Sequence, residues 1–345
     1  MKFQERELWE NIKSGEFLPV YLIRGDEAYL KQNYTKLLAD HVVPDGLEAF
    51  NLHRFAGDTA DLETIFTAVE ALPAMCERTF VVVHDLDFAA LNEADRDAMA
   101  DFLKDLPDTC VLVFWQDTKP FPQKTKQQKE LLKLIEAAGA VADLNGRSRG
   151  ELIRFLSSES KKRGCSISSA AAGYMIDTVG EDMAGLISEL DKLCCYAEGT
   201  ITEQDVDAIC VKSLESTAFK MVDALVAENF DAVFQSLAIL FEQRTEPAMI
   251  LGALTSTFVD MYRALVAKEA GKNSGVLKSL FPNAYRSDFK LNNAVKRARR
   301  YSPEALRRSL EILADADTRL KSSIEDNRVI FEKMLVELAE VRRAC

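Results

Sequence analysis

Two short stretches carry residue types that could handle phosphate. The first is Gly25-Asp26-Glu27-Ala28-Tyr29-Leu30-Lys31-Gln32, directly after the apolar run Pro19–Arg24. A strand that ends at a glycine before a helix is where a phosphate-binding loop sits. Such a loop needs GxxxxGK followed by Ser or Thr, so that backbone N–H groups cradle phosphate while the Lys and hydroxyl reach its outer oxygens and Mg²⁺. Here there is one glycine, two acids where phosphates would lie, and a lysine without its flanking glycine. Acid beside phosphate is repulsive, and the stretch is no GxGxxG either. The expectation is a domain that does not bind nucleotide in the phosphate-loop manner. The second stretch is His84-Asp85-Leu86-Asp87, after the apolar run Thr79–Val83. Carboxylates at that point can hold Mg²⁺. Without a phosphate loop they read as solvated acids at a strand end.

Other chemistry is sparse. No GxSxG, HExxH or EF-hand loop occurs. Catalysis by residues distant in sequence stays open. The seven cysteines are Cys76, Cys110, Cys165, Cys194, Cys195, Cys210 and Cys345, with no CxxC among them. Cys194 and Cys195 point in different directions on a helix and cannot chelate one metal. All seven read as reduced, buried small hydrophobes. His41, His53 and His84 are isolated, so neither a metal nor a cofactor is expected.

The elements that position these residues follow from periodicity. Up to about residue 146, strand-like runs (19–24, 50–55, 79–83, 110–115, 140–144) alternate with helical spacings (26–41, 61–71, 93–104, 123–138). Strands separated by helices give right-handed βαβ crossovers and a parallel sheet covered on both faces. From Ser148 no strand is expected. Helices fit 149–163, 168–178, 182–197 and 202–209, with Ser168 and Thr202 as N-caps and Gly164, Gly180 and Gly199 as punctuation. Further helices fit 218–227, 230–243, 247–270, 288–299, 303–321 and 327–342, with Pro247 and Pro303 at helix starts. The division is 1–146 α/β, 147–212 helical and 213–345 helical.

Of the 345 residues, 48% are hydrophobic and 28% charged, which suits packed cores. The net charge of −12 excludes coating DNA by charge alone, because non-specific affinity comes from Lys and Arg displacing counterions. The charged start, residues 1–17, has no apolar signal region. No run approaches the roughly 18 apolar residues of a membrane span. The cytoplasm is the expected compartment, with no membrane partner.

One region runs against the net charge. Between Lys290 and Arg343 there are 13 Lys and Arg against 9 Asp and Glu. The densest part is Lys296, Arg297, Arg299 and Arg300, followed by Arg307 and Arg308. Either this is a solvated helix face with pairs such as Glu304 to Arg307 or Arg308, or it contacts DNA or acidic faces of neighbouring subunits. Apolar stripes at 219–241 and 249–265 read as core, part of which an assembly could use between subunits.

Several runs resemble the delta subunits of bacterial DNA polymerase III clamp loaders. They are PVYLIRGDEAYL at 19–30, LPAMCERTFVVV at 72–83, LPDTCVLVF at 106–114, and the basic positions Lys124, Lys126 and Lys129. Gly180, Asp182, Met183, Leu186, Glu189, Leu190, Lys192 and Leu193 continue the likeness, as do Ala316, Asp317, Leu320, Lys321 and Ser322. It runs from about Pro19 to Leu338, and the order of the motifs is more specific than any one of them. The resemblance implies a degenerate AAA+ domain without ATPase activity, a helical lid, and a helical collar that rings with the ATPase and delta-prime subunits. Those relatives carry a zinc-binding Cys cluster, and the ATPase subunits add the phosphate loop; this chain has neither. The implied role is to bind and open the sliding clamp so that it can be loaded on primed DNA. Such a subunit is not itself an enzyme, although it belongs to a polymerase holoenzyme. The wedge that enters the clamp's apolar pocket falls on Leu72, Pro73, Ala74 and Met75. Ala74 departs from the family, which has a large residue there, leaving Met75 as main anchor. On residues alone the same segment is an ordinary helix-to-strand corner. The rival readings are a divergent AAA+ NTPase and an adaptor unrelated to replication.

Overall fold

The computed structural model describes residues 1–272, 275–281 and 288–343. It divides into two units, Met1–Gly146 and Arg147–Cys345.

The first unit runs β1 (Lys2–Phe3), α1 (Glu5–Ser14), β2 (Val20–Arg24), α2 (Ala28–Val42), α3 (Glu48–Asn51), β3 (Leu52–Ala56), α4 (Leu62–Glu70), β4 (Thr79–His84), α5 (Glu93–Phe102), β5 (Cys110–Trp115), α6 (Lys126–Ala138) and β6 (Ala140–Asp143). The strands form one parallel sheet in the order β1-β6-β2-β5-β4-β3, the RecA-like kind expected. Side chains alternate across a strand, so an unbroken apolar run is stable only where both faces are covered. On one face Val20, Leu22, Val81, Val83, Leu112 and Phe114 pack with Ile65 and Val69 of α4, Met99 of α5 and Ile135 of α6. The alternate residues Tyr21, Ile23, Phe80, Val111 and Val113 are equally buried, on the side where α2 lies. Tyr21 keeps its hydroxyl satisfied, donating to Asn11 Oδ1 at 2.6 Å and accepting from Leu18 N–H at 2.9 Å. Burial pushes that phenol up to about 12.

Two expectations need correction here, and the N-terminus adds two elements. The charged N-terminus forms β1 and α1, because α1 buries Leu8 and Ile12 and starts with a capping box between Gln4 and Glu7. Phe50 and Asn51 are helical rather than strand, and β3 begins only at Leu52. The cysteines are not uniformly buried: Cys110, Cys165 and Cys210 are, Cys76 and Cys194 are half-buried, and Cys195 is exposed. Cys345 lies outside the described residues. Among the described residues no group of His, Cys, Asp and Glu could hold a metal.

The second unit is helical: α7 (Arg149–Lys162), α8 (Ser169–Val179), α9 (Met183–Tyr196), α10 (Glu203–Ile209), α11 (Leu214–Val226), α12 (Phe230–Glu242), α13 (Pro247–Glu269), α14 (Gly275–Leu280), α15 (Asp288–Ala298), α16 (Pro303–Ser322) and α17 (Asn327–Arg343). Ser168 and Thr202 cap α8 and α10 as expected, accepting from Ala171 and Asp205 N–H. A strand pair was not expected, yet β7 (Ser166–Ile167) and β8 (Thr200–Ile201) pair in parallel. Two residues per strand are too few for any period to show. Helix α13 also corrects the membrane reading, being long and apolar enough by length and composition to span one. Its Ile250, Leu254, Phe258 and Met261 are wholly buried in a core with Met221, Leu306 and Phe331.

Candidate functional site

The parallel sheet has an amino end and a carboxyl end, and the two candidate sites of this unit fall at opposite ends.

At the amino end, α4 stops at Glu70 because Leu72 precedes Pro73 and so avoids helical backbone. The chain then crosses to β4 through residues 71–78. Buried Asn51, at the end of α3, holds this crossing in place. Its carboxamide Oδ1 accepts from Ala74 N–H at 2.7 Å, and its Nδ2 donates to Ala74 O at 2.9 Å and to Leu47 O at 3.0 Å. Further along, Arg78 Nη1 donates to Phe17 O at 2.8 Å and Cys76 Sγ donates to Arg78 O at 3.2 Å. On this fixed backbone Leu72 is 83% exposed and Met75 88% exposed, while Pro73 and Ala74 are half-buried. Met75 has φ +62°, the left-handed region that a residue with a Cβ enters at a cost. Strain of this kind persists where the surroundings over-determine it, and it gathers at functional positions. The arrangement offers two large apolar side chains to a partner with little ordering left to lose.

At the carboxyl end, the phosphate-loop position is closed by its own side chains. Gly25 has φ +128°, and a Cβ there would lie 1.9 Å from Leu144 O. The Asp26 carboxylate accepts from Gly146 N–H at 2.7 Å, and the Glu27 carboxylate from Tyr29 N–H at 3.1 Å. Lys31 is 1% exposed. Its ammonium donates to Gly25 O at 2.9 Å and Gln116 O at 3.0 Å and pairs with Asp117 Oδ1 at 2.7 Å. An ammonium has three protons, and three acceptors surround this one.

The acids after β4 do not stand free in solvent, contrary to expectation, but are held by hydrogen bonds. Asp85 (φ +55°) accepts from Asp117 N–H at 2.6 Å, Thr118 N–H at 3.0 Å, Thr118 Oγ1 at 2.6 Å and Lys119 N–H at 3.3 Å. Burial works to raise its pKa, but the Thr118 hydroxyl and the three backbone donors outweigh it and hold the group at about 2. Asp87 caps the following turn, accepting from Ala89 and Ala90 N–H. These carboxylates fasten loops.

In the second unit the basic segment splits. Arg297 is nearly buried, forks onto Asp223 at 2.6 and 2.9 Å, and lies 5.0 Å from the Phe219 ring centroid. Lys296, Arg299 and Arg300 are exposed. Lys296, Arg297 and Arg300 line a cavity of about 190 Å³ with Asp223, Val226, Ala227 and Asn293, and Arg299 does not. The expected pairs from Glu304 do not form among the described residues; Lys321 to Asp317 and Arg328 to Glu332 do, at 2.6 and 3.0 Å. Lys124, Lys126 and Lys129 are exposed, Lys126 lying 3.7 Å from Glu130.

Sequence reading missed Asn51, which sat inside an assumed strand. The one signal available was a polar Asn among apolar neighbours, FNLHRF.

Comparison with known proteins bears on the whole chain. A family model described as DNA polymerase III, delta subunit, matches residues 21–143, and one described as its C-terminal domain matches 215–338. A model described as a middle domain matches 148–208. The DNA polymerase III subunit delta of Bacillus subtilis is 25% identical over 340 residues, 96% of each chain. The probable delta subunit of Aquifex aeolicus is 21% identical over 263 residues, 74% of this chain and 73% of that one. The solved Bacillus subtilis DNA clamp loader delta protein superposes with TM-score 0.70 at 23% identity, covering 97% of this chain and 99% of that one, which shows the shared fold. A RecA-like sheet followed by a helical unit, with this likeness along nearly the whole chain, defines a subunit of the DNA polymerase III class. Within that class the chain belongs to the DNA polymerase III delta subunit family.

Proposed function

We propose that this chain binds the sliding clamp and favours its open form, so that the clamp can be placed on primed DNA. The observation that carries the reading is the pair Leu72 and Met75, both more than four-fifths exposed on a loop fixed by Asn51. Pro73 and Ala74 hold the two apart and shape the loop. Burying one such side chain is worth roughly 1.5–3 kcal/mol, so the pair supplies roughly 3–6 kcal/mol. Moving a two-state ring from mostly closed to mostly open needs about 5.5 kcal/mol of preference for the open form. The two magnitudes match, provided the pocket is better formed in the open clamp, since only differential affinity shifts the population.

The chain acts without hydrolysing nucleotide, and no cofactor enters. Lys31, Asp26 and Asp85 are engaged by their own loops, which supports that assignment. Residues 1–146 carry the clamp contact, 147–212 act as a lid, and 213–345 act as the collar that meets the ATPase and delta-prime subunits. ATP binding by those subunits brings the wedge within reach of the clamp. Lys296, Arg299 and Arg300 serve contact with DNA or with acidic neighbours, while Arg297 serves the fold. The work is done in the cytoplasm.

Calorimetry of the purified protein with its cognate clamp tests this, using a Leu72→Ser/Met75→Ser variant with an unchanged melting curve. The expected result is binding by wild type and a loss of at least a hundredfold in the variant. Binding that survives moves the contact elsewhere. No binding by wild type, with intact clamp, refutes the role.

A further inference from the structure

Five large apolar side chains are exposed in the first unit: Met1, Trp9, Phe50, Leu72 and Met75. Three of the five sit on the two segments that the Asn51 carboxamide ties together. A single exposed Phe is ordinary. Three such side chains on two segments tied together by hydrogen bonds are close in the fold and could face one partner.

The geometry follows from α3. Asn51 turns its side chain inward, reaching Leu47 O and both backbone groups of Ala74. Successive residues on a helix point about 100° apart, so Phe50 leaves α3 on another side, where it is 65% exposed. Phe50 is one residue from Asn51, and Met75 is one residue from Ala74. Adding two Cα steps of 3.8 Å to the length of the hydrogen-bonded Asn side chain puts their Cα atoms at most roughly 14 Å apart. Side chains of this length can flank one partner surface across that gap. Ala74, small and half-buried, leaves the loop short of apolar area there, which an aromatic ring on the neighbouring segment makes up.

We infer that Phe50 is a third anchor of the surface formed by Leu72 and Met75, seated on the wall of the same apolar pocket of the clamp. The inference rests on the clamp reading above. Phe50 brings a rigid aromatic ring with few rotamers to lose, a residue type enriched at interfaces. The Phe50 N–H and the Asn51 carboxamide share Leu47 O as acceptor, which ties the backbone under Phe50 to the backbone at Ala74.

The test titrates the clamp into wild type, Phe50→Ser, Phe50→Leu and Leu72→Ser/Met75→Ser. Phe50→Ser is expected to weaken binding about 10- to 100-fold with an unchanged melting curve, and Phe50→Leu to recover most of the loss. Phe50→Ser binding like wild type, while Leu72→Ser/Met75→Ser loses binding, overturns this inference and leaves the clamp reading standing. Wild type that does not bind overturns both. If Phe50→Ser melts lower, photo-reactive benzoylphenylalanine placed singly at 50 and at 75 decides. Cross-linking to the clamp from both positions supports the third anchor, and cross-linking from 75 alone refutes it.

Discussion

Replacing Asn51 by Ala separates the backbone of the wedge from the side chains that do the binding. The substitution removes three hydrogen bonds, at 2.7, 2.9 and 3.0 Å, from a wholly buried position. Each is worth about 1 kcal/mol net, and a buried partner left unpaired costs about 1–3 kcal/mol. The expected loss of stability is about 2–4 kcal/mol, part of it local to residues 71–78. With a urea slope of about 2 kcal/mol/M, the midpoint of the first unit falls by about 1–2 M. The freed loop must then be ordered on binding, at about 1 kcal/mol per backbone residue. Clamp affinity should drop about 10- to 1,000-fold although Leu72 and Met75 are untouched. Hydrogen exchange at the Ala74 amide is the direct assay, because its acceptor is gone. Asn51→Asp keeps the acceptor for Ala74 N–H but turns a buried carboxylate oxygen toward the Leu47 and Ala74 carbonyls, so at neutral pH it should destabilise at least as much as Asn51→Ala. An Ala74 amide as protected in Asn51→Ala as in wild type, with unchanged urea midpoint and affinity, would refute the argument that Asn51 holds the loop.

Three further outcomes are expected. Met75→Gly removes a left-handed penalty of about 1–2 kcal/mol and adds unfolded-state freedom worth about 0.5–1 kcal/mol; melting should hold or rise while clamp binding weakens at least tenfold, and a clear fall in melting temperature counts against strain at this residue. Lys31→Met leaves Gly25 O, Gln116 O and the partly exposed Asp117 without their donor, so calorimetric stability should fall by about 2–4 kcal/mol; an unchanged melting curve rules out the lysine as a brace. Asp85 titrates near 2 in the folded chain, below its ordinary value of 3.8, so its contribution is full at neutral pH and fades as pH falls from about 4 to 2. Asp85→Ala should cost on the order of 2 kcal/mol at pH 7 and flatten that acid limb; a limb as steep as wild type's would show that other groups set it.

Much of the sheet was legible because its central strands are buried on both faces. Thr79–Val83 and Cys110–Trp115 have no polar break, and only a covered central strand tolerates that. Helices in the second unit were legible from caps and punctuation, as at Ser168 and Thr202. The N-terminal β1 and α1 were not, since a two-residue strand has no period and half of α1 is charged. At the site, the exposure of Leu72 and Met75 could not be read: an apolar corner has the same composition whether it faces inward or outward. The roles of Asn51, Lys31 and Asp85 depend on partners 23, 85 and more than 30 residues away. No local pattern encodes such distances. The basic cluster shows the same limit, because only tertiary contact with Asp223 and Phe219 sets Arg297 apart from Lys296, Arg299 and Arg300.

The lysine at the carboxyl end of the sheet bears on how this chain responds to the energy state of the cell. A protein that binds nucleotide only when folded gains stability in proportion to the logarithm of ligand over Kd, about 2.7 kcal/mol at a hundredfold excess. The Lys31 ammonium is paired with the Asp117 carboxylate and donates to two carbonyls, so the first unit carries its counter-charge within the chain. On the proposed reading its folded fraction is uncoupled from the concentration of ATP, so heating it with or without ATP should trace the same curve; a higher melting temperature with ATP would show that nucleotide binds.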